Sequence, residues 1–371
     1  MDTPDVIILH QPPRPDDGPL TGLLAEARTQ LARHHENLFR RAGAHEVGVL
    51  EARVEDGQSF GERLRRVVVD RRLERIVVLG SGSVALLRLA DARRLLAVAG
   101  GPPGRALTNN RYSSDVCAVS GAAALRHLPA LSGDNALPRW LAQQAGFLVD
   151  ELPGRERLAL DLDTPLDVAL LALAPRLPPA LRKLSVTTGI RVPRLEEIRA
   201  VVADPRAELL VFGRSGAMVQ RWLERNTSCR VRFLAEERGL RSSSPLALPE
   251  RARQRPPRAT LGRLLDARGP GALAETVAEL ADGALLDSRV LLADHLGRAE
   301  SAWPPSEDRF ASDLLRPGLI SHPWLRELTE SAARAPIPVL LGGHTLVGPA
   351  VRLLFPPAPR SAQAPKSPAL E

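Results

Sequence analysis

The stretch Asp161-Leu162-Asp163-Thr164-Pro165 has the residue types and spacing best suited to chemistry in this chain. Two aspartates one residue apart follow an apolar run, Arg157–Leu160, and precede a helix start. Such carboxylates repel each other unless a cation or a water-filled site accommodates them. A magnesium ion bound by one or two carboxylates plus substrate phosphate would do so. Thr164 and Pro165 need no ligand, since Thr suits an N-cap and Pro the first helical turn. The residues alone therefore leave two readings open: a metal pair at Asp161 and Asp163, or a solvated helix cap.

Three other polar loops could share a site with them. Gly80-Ser81-Gly82-Ser83 closes an apolar run, and its backbone N–H groups could wrap an anion. Asn109-Asn110-Arg111-Tyr112-Ser113-Ser114-Asp115 is a run of seven polar residues containing the only tyrosine. It reads either as a polar turn or as a binding loop. Gln11–Gly18 carries Arg14, whose planar fork suits phosphate.

The elements that must position these loops alternate between strand and helix. Val6–Leu9, Glu46–Leu50, Ile76–Gly80, Arg105–Asn109, Asp115–Val119, Phe147–Glu151 and Arg157–Leu160 read as strands. Leu20–Ala42, Phe60–Asp70, Val84–Val98, Ala122–His127, Ala136–Ala145 and Pro165–Ala174 read as helices. This pattern predicts an α/β fold, Rossmann-like, with a mostly parallel sheet flanked by helices. In such folds ligands bind outside the carboxyl ends of the strands, where the three loops would lie. We expect this domain over 1–178, a second, smaller α/β domain of unknown role over 190–355, and a disordered tail over 356–371.

In the second half, helices are predicted at Leu195–Ala203, Ala217–Arg225, Leu261–Leu280, Glu307–Leu315 and Pro323–Ala333. Strands are predicted at Glu208–Phe212, Arg230–Ala235, Ala284–Leu292 and Val339–Leu341. Its polar clusters are Gly213-Arg214-Ser215-Gly216, Glu236-Glu237-Arg238-Gly239, Asp287-Ser288-Arg289, Glu307-Asp308-Arg309 with Asp313, and Gly342-Gly343-His344-Thr345. Chemistry around His344 and Glu237 is a third possibility for the chain. The simplest reading of Glu307, Asp308 and Asp313 is helix charges paired to arginines.

Composition excludes several classes. The net charge is +7, carried by arginine, with lysine only at Lys183 and Lys366. These arginines are interspersed with acids, and aromatics are 3% of residues, so no nucleic-acid partner is expected. No apolar run approaches the roughly 18 residues of a membrane span, so no membrane association and a cytoplasmic location are expected. Cys117 and Cys229 lie far apart in apolar runs and read as buried free thiols. His34 and His35, adjacent on a long helix, read as surface residues rather than metal ligands. There is no GxGxxG, no Walker lysine loop, no GxSxG and no HExxH.

Three pieces, in order, resemble the molybdopterin and phospholactate guanylyltransferase group of the nucleotidyltransferase superfamily. They are Leu79-Gly80-Ser81-Gly82-Ser83-Val84-Ala85-Leu86-Leu87, Ser132-Gly133-Asp134-Asn135 and Asp161–Val168. The resemblance implies a nucleotidyltransferase or GT-A-like fold, binding of a nucleotide or phosphorylated small molecule, and magnesium-dependent nucleotidyl transfer in cofactor biosynthesis. It implies magnesium at Asp161 and Asp163, and nucleotide at Gly80, Ser81, Gly82, Ser83, Asn109, Asn110 and Arg111. The chain departs from the group where a glycine-rich loop and lysine follow the first strand, and where Ser81 or Gly82 replaces a metal-binding aspartate. Arg14 and Asp115 would then serve as the compensating catalytic residues. The alternative is a catalytically inactive member of the fold, acting as a binding or scaffold module.

Overall fold

Apolar strands separated by amphipathic helices can bury both faces of a sheet only if helices cover each face, and the first half of the chain folds in this way. The computed structural model describes residues 3–51, 58–131, 133–154, 156–236, 257–297 and 300–356. They divide into two compact units, 3–191 and 192–236 with 257–356.

The first unit runs β1 (Asp5–His10), α1 (Pro19–Ala42), β2 (Val47–Glu51), α2 (Phe60–Asp70), β3 (Arg75–Gly80), α3 (Leu89–Ala99), β4 (Arg105–Thr108), β5 (Val116–Ser120), α4 (Leu137–Gln143), β6 (Leu148–Glu151), α5 (Pro165–Ala172) and α6 (Pro179–Thr188). Its six strands are ordered β2-β1-β3-β5-β4-β6. β1 pairs in parallel with both β2 and β3, and β4 with β6, while β5 runs antiparallel between β3 and β4. Val6 and Ile8 pack under α1 and α3, and Ile7 packs on the other face with α2 and α4. The sequence direction reverses at β1, so the crevice between the carboxyl ends of β1 and β3 is the topological switch point. Because β5 is antiparallel, its first residues sit at that same edge, with Val116 opposite Leu79.

Local chemistry sets the ends of these elements. Ser59 and Glu62 form a reciprocal capping box that starts α2. Gly43, at φ 99°, closes α1 in the left-handed conformation that glycine adopts without strain.

Two expectations fail in this unit. The helix predicted from Val84 starts at Leu89 instead. Val84 has φ 45°, and its N–H donates to the Asp161 carboxylate (2.7 Å). The Ala85 N–H donates to the Leu160 carbonyl (2.9 Å), and the Leu162 N–H to that of Gly82 (2.8 Å). The second failure is the strand predicted over Arg157–Leu160, which is a turn followed by an extended segment laid on the Gly82–Ala85 loop. Leu158, Leu160 and Leu162 alternate as in a strand because all three are buried, yet they belong to no sheet.

The second unit runs α7 (Leu195–Ala203), β7 (Glu208–Gly213), α8 (Ala217–Asn226), β8 (Arg230–Ala235), α9 (Thr260–Arg268), α10 (Leu273–Ala278), β9 (Gly283–Asp287), α11 (Ser288–Leu296), α12 (Ser306–Asp313), α13 (Pro323–Arg334), β10 (Val339–Gly342), α14 (His344–Val347) and α15 (Val351–Leu354). Its four strands are all parallel, in the order β10-β9-β7-β8. The predicted helix Leu261–Leu280 is broken in two at Gly269-Pro270, where Gly269 takes φ 85°. The predicted strand Ala284–Leu292 stops at Asp287, whose side chain accepts from the Arg289 N–H and caps α11. A continuous apolar run hides such a strand-to-helix change, because burial on all sides removes the periodicity.

Candidate functional site

At the carboxyl edge of the first sheet, four aspartates come close enough to perturb one another: Asp115, Asp134, Asp161 and Asp163. Three segments place them. Asp115 immediately precedes β5. Asp134 opens a short 3-10 turn ahead of α4 and bonds the Asn135 N–H (2.9 Å). Asp161 and Asp163 flank buried Leu162 on the extended segment before α5.

Asn109 fixes Asp115. Its side-chain oxygen accepts from the Asp115 and Val116 N–H groups (2.9 and 3.3 Å), and its amide donates to the Asp115 carboxylate (2.7 Å) and the Leu158 carbonyl (3.0 Å). All four hydrogen-bonding positions of this buried amide are thus used within the protein. Asp115 also hydrogen-bonds the Asp161 side chain.

Burial raises the Asp115 carboxyl to about 7, with Asp134 and Asp163 adding like-charge repulsion. Burial likewise raises Asp134 to about 6. Asp161 lies well above the usual carboxylate range, through burial first and then the charges of Asp115 and Asp163. Two carboxyl groups that hydrogen-bond each other must share a proton or a cation. Asp163 is different: its side chain is 57% exposed and lies 3.7 Å from Arg28. Arg28, on α1, also donates to the Leu162 carbonyl (2.8 Å), so it ties the aspartate segment to the helix.

The helix cap at Thr164 is present. The Thr164 hydroxyl accepts from the Asp167 N–H, and Asp167 accepts from the Asp163 and Thr164 N–H groups (3.0 and 2.7 Å). The motif therefore serves three purposes at once. Thr164 and Asp167 start α5, Asp161 holds the loop at Val84, and Asp163 faces outward.

Other predicted site residues sit less simply. The Gly80–Ser83 loop reaches this edge, but the chain itself uses its N–H groups: Ser81 donates to Leu9 (2.8 Å) and Ser83 to Gly80 (3.2 Å). A Cβ on Gly82 would lie 3.0 Å from Arg28 and 3.1 Å from the Leu162 carbonyl, so glycine permits this close packing. Asn110 bonds the Tyr112 N–H in a local turn (3.0 Å). Arg111 is directed at β6, its guanidinium on the Val149 carbonyl (3.2 Å) and its N–H on Glu151 (2.7 Å). Arg14 is exposed in a turn closed by Asp17. The leading charges acting on Asp115, Asp134 and Asp161 are those of the neighbouring aspartates. His35, expected at the surface, is fully buried on the core side of α1, and burial lowers it to about 3. Cys117 and Cys229 are buried free thiols.

Hard oxygen donors suit magnesium. Among the described residues, however, no group of three or more His, Cys, Asp or Glu is arranged to hold a metal ion. The Asp115–Asp161 pair thus offers two donors at most, and the remaining ligands of an ion would be phosphate and water. Asp115 and Asp134 line a small recess with Phe60, Ser114 and Leu137, with room for about one water molecule.

The second unit gathers its polar clusters at its own carboxyl edge. Gly213, at φ 122°, brings β7 so close that an added Cβ would lie 2.3 Å from that of Asp287. Arg214 holds buried Asp287 side-on, through Nε (2.6 Å) and Nη2 (3.1 Å). Arg289 pairs with fully buried Asp313, a partner the sequence reading did not assign. Burial works against ionisation of Asp287, but Arg214 and Arg289 hold its carboxyl below the usual carboxylate range. Asp308 accepts from the Ser321 and His322 N–H groups (2.9 and 2.8 Å) rather than pairing with an arginine. Arginine and aspartate match in these pairs, which reads as a structural brace. Glu237, Arg238, Gly239, Ser132 and the tail beyond 356 lie outside the described residues.

No family model matches the chain, and no curated protein matches it. Among the described residues, no helix is long and apolar enough to cross a membrane.

Proposed function

We propose that the first unit is a divergent nucleotidyltransferase-like domain that binds a nucleotide or another phosphorylated small molecule, with magnesium, at the carboxyl edge of its sheet. The observation that carries this reading is the convergence of Asp115, Asp134, Asp161 and Asp163, with Asp115 and Asp161 sharing a hydrogen bond. A half-buried cluster of like charges costs free energy, and a bound cation offsets that cost. In this reading Asp115 and Asp161 hold the ion, and Asp134 and Asp163 add negative potential around it. The ion supplies charge neutralisation at phosphate. Asn109 orients Asp115, and Arg28 anchors the segment that carries Asp161.

A second reading, binding without turnover, is favoured by the Gly80–Ser83 loop. Its Ser81 and Ser83 N–H groups are engaged by the chain, whereas the glycine-rich loop of active relatives would turn such groups to phosphates.

The test is a thermal-shift screen of nucleoside triphosphates and phosphorylated metabolites, with magnesium and with EDTA. The expected result is stabilisation that requires magnesium and is lost in Asp161→Asn, which keeps the acceptor for the Val84 N–H. If no compound shifts the wild-type protein, the reading falls. Pyrophosphate release from the stabilising triphosphate separates the two readings, since a binding module gives none.

A further inference from the structure

Arg28 on α1 spends only part of its guanidinium on the fold. Its Nε–H donates to the Leu162 carbonyl (2.8 Å), while Nη2 stands 3.7 Å from the Asp163 carboxylate, an ion pair too long for a hydrogen bond. Among the described residues, Nη1 and Nη2 donate to no acceptor. The side chain is 28% exposed, so water reaches a group that the Nε bond holds in place.

Contacts on both sides fix its position at the acidic edge. Leu162, which Arg28 holds, lies between Asp161 and Asp163, and its N–H donates to the Gly82 carbonyl (2.8 Å). A Cβ on Gly82 would lie 3.0 Å from Arg28 Nε. The guanidinium therefore sits where the Gly80–Ser83 loop meets the aspartate segment. Its ion-pair partner Asp163 is one of the charges acting on Asp115, Asp134 and Asp161. Among the described residues, Arg28 is the cation ion-paired with one of these four aspartates. A positive charge here opposes a metal ion by like-charge repulsion. It favours the ion only when an anion lies between them, and the Nη1–Nη2 fork matches two oxygens of a phosphate.

We propose that Arg28 is the phosphate-binding residue of this edge, with Nη1 and Nη2 taking oxygens of a magnesium-bound phosphate while Nε keeps its hold on Leu162. This rests on the reading that ligand and magnesium lie at the carboxyl edge of the first sheet. It makes the preferred ligand the metal–phosphate complex, over either part alone.

The experiment uses the full-length wild type, Arg28→Gln and Arg28→Lys. Glutamine carries its amide nitrogen at the same point along the side chain as arginine Nε, so it can still donate to Leu162 but lacks the fork and the charge. Manganese alone, which takes the same oxygen ligands as magnesium, is titrated by electron paramagnetic resonance, and magnesium pyrophosphate by calorimetry. Loss of two charge-assisted bonds predicts roughly 10- to 100-fold weaker binding of magnesium pyrophosphate in Arg28→Gln. Arg28→Lys should recover only part of it, because an ammonium has no fork. Manganese alone should bind Arg28→Gln as tightly as the wild type or more tightly, because a like charge is gone. Equal affinity of wild type and Arg28→Gln for magnesium pyrophosphate overturns the proposal. So does a parallel loss of both probes, which would make Arg28 an anchor only, and so does failure of the wild type to bind magnesium pyrophosphate. If magnesium-dependent nucleotide stabilisation persists in any of these cases, the functional reading survives without this contact. If Arg28→Gln selectively weakens magnesium pyrophosphate while no nucleotide stabilises the wild type, the phosphate contact stands and the nucleotide reading falls.

Discussion

Replacing Asp115 by Asn should stabilise the unliganded protein at pH 8 and do almost nothing at pH 5. Asp115 has its folded pKa raised from the ordinary 3.8 to about 7, chiefly by burial. Between those two values the folded protein binds more protons than the unfolded chain, so this group's contribution to stability falls as pH rises through the window. A shift from 3.8 to about 7 at 1.36 kcal/mol per pH unit gives roughly 4 kcal/mol as an upper figure. Solvent reaches part of this side chain, and screening reduces the expected effect to roughly 1–3 kcal/mol. Asparagine has the shape of the protonated acid. Its oxygen can still accept from Asn109, and its amide can donate to Asp161 where the shared proton lay. Urea denaturation at pH 5, 6.5 and 8 measures the difference. The gain should grow with pH, and magnesium with ligand should stabilise the wild type more than the variant. A variant that is equally or less stable at pH 8, with the same difference at pH 5, would refute the electrostatic reasoning.

Two further substitutions probe the supports. Asn109→Ala removes five hydrogen bonds and leaves the Leu158 carbonyl and the Asp115 and Val116 N–H groups without their partner; a loss of roughly 2–4 kcal/mol in urea denaturation is expected, and one below about 1 kcal/mol would show that water replaces the amide. In the second unit, Asp313→Ala leaves Arg289 buried and unpaired, so a loss of roughly 3–5 kcal/mol is expected. The double variant Arg289→Met, Asp313→Leu should recover most of it, and failure to do so would mean the pair contributes more than mutual neutralisation.

The sequence made the frame of the first unit legible, because the signals there are local. Ser59 and Glu62 mark the start of α2, Thr164-Pro165 marks α5, and continuous four-residue apolar runs mark β1 and β3, strands buried on both faces. Gly269-Pro270 was an equally local breaker inside a helical pattern, and its effect on α9 and α10 follows ordinary turn chemistry. What the sequence hid was set by contacts distant along the chain. Ser83–Leu87 has the composition of a helix start. Asp161 and Leu160, more than seventy residues later, take its N–H groups and hold Val84 at positive φ. The candidate site shows the same division. Asp115, Asp161 and Asp163 were legible as carboxylates at strand or loop ends. Asp134 was visible only as a helix start, and Asn109 as a binding residue rather than the clamp on Asp115. Arg28 carries no local signal, since one arginine on a helix resembles any other.

That division bears on what the edge can bind. A phosphate loop works because backbone N–H groups are left pointing at an empty space. Here Leu9, Gly80, Leu160 and Asp161 accept from the N–H groups of Ser81, Ser83, Ala85 and Val84 respectively. The carboxyl edge is therefore built with negative charge and few backbone donors, the reverse of a loop made for bare phosphate. An anion alone would be repelled by Asp115, Asp134, Asp161 and Asp163. A phosphorylated ligand that brings a divalent cation reverses that sign, because the carboxylates then attract the ion and the ion carries the phosphate. The strong coupling between Asp115 and Asp161 makes the process proton-linked. A cation entering between them displaces the shared proton, so its affinity must rise with pH across the range in which Asp115 titrates, near 7.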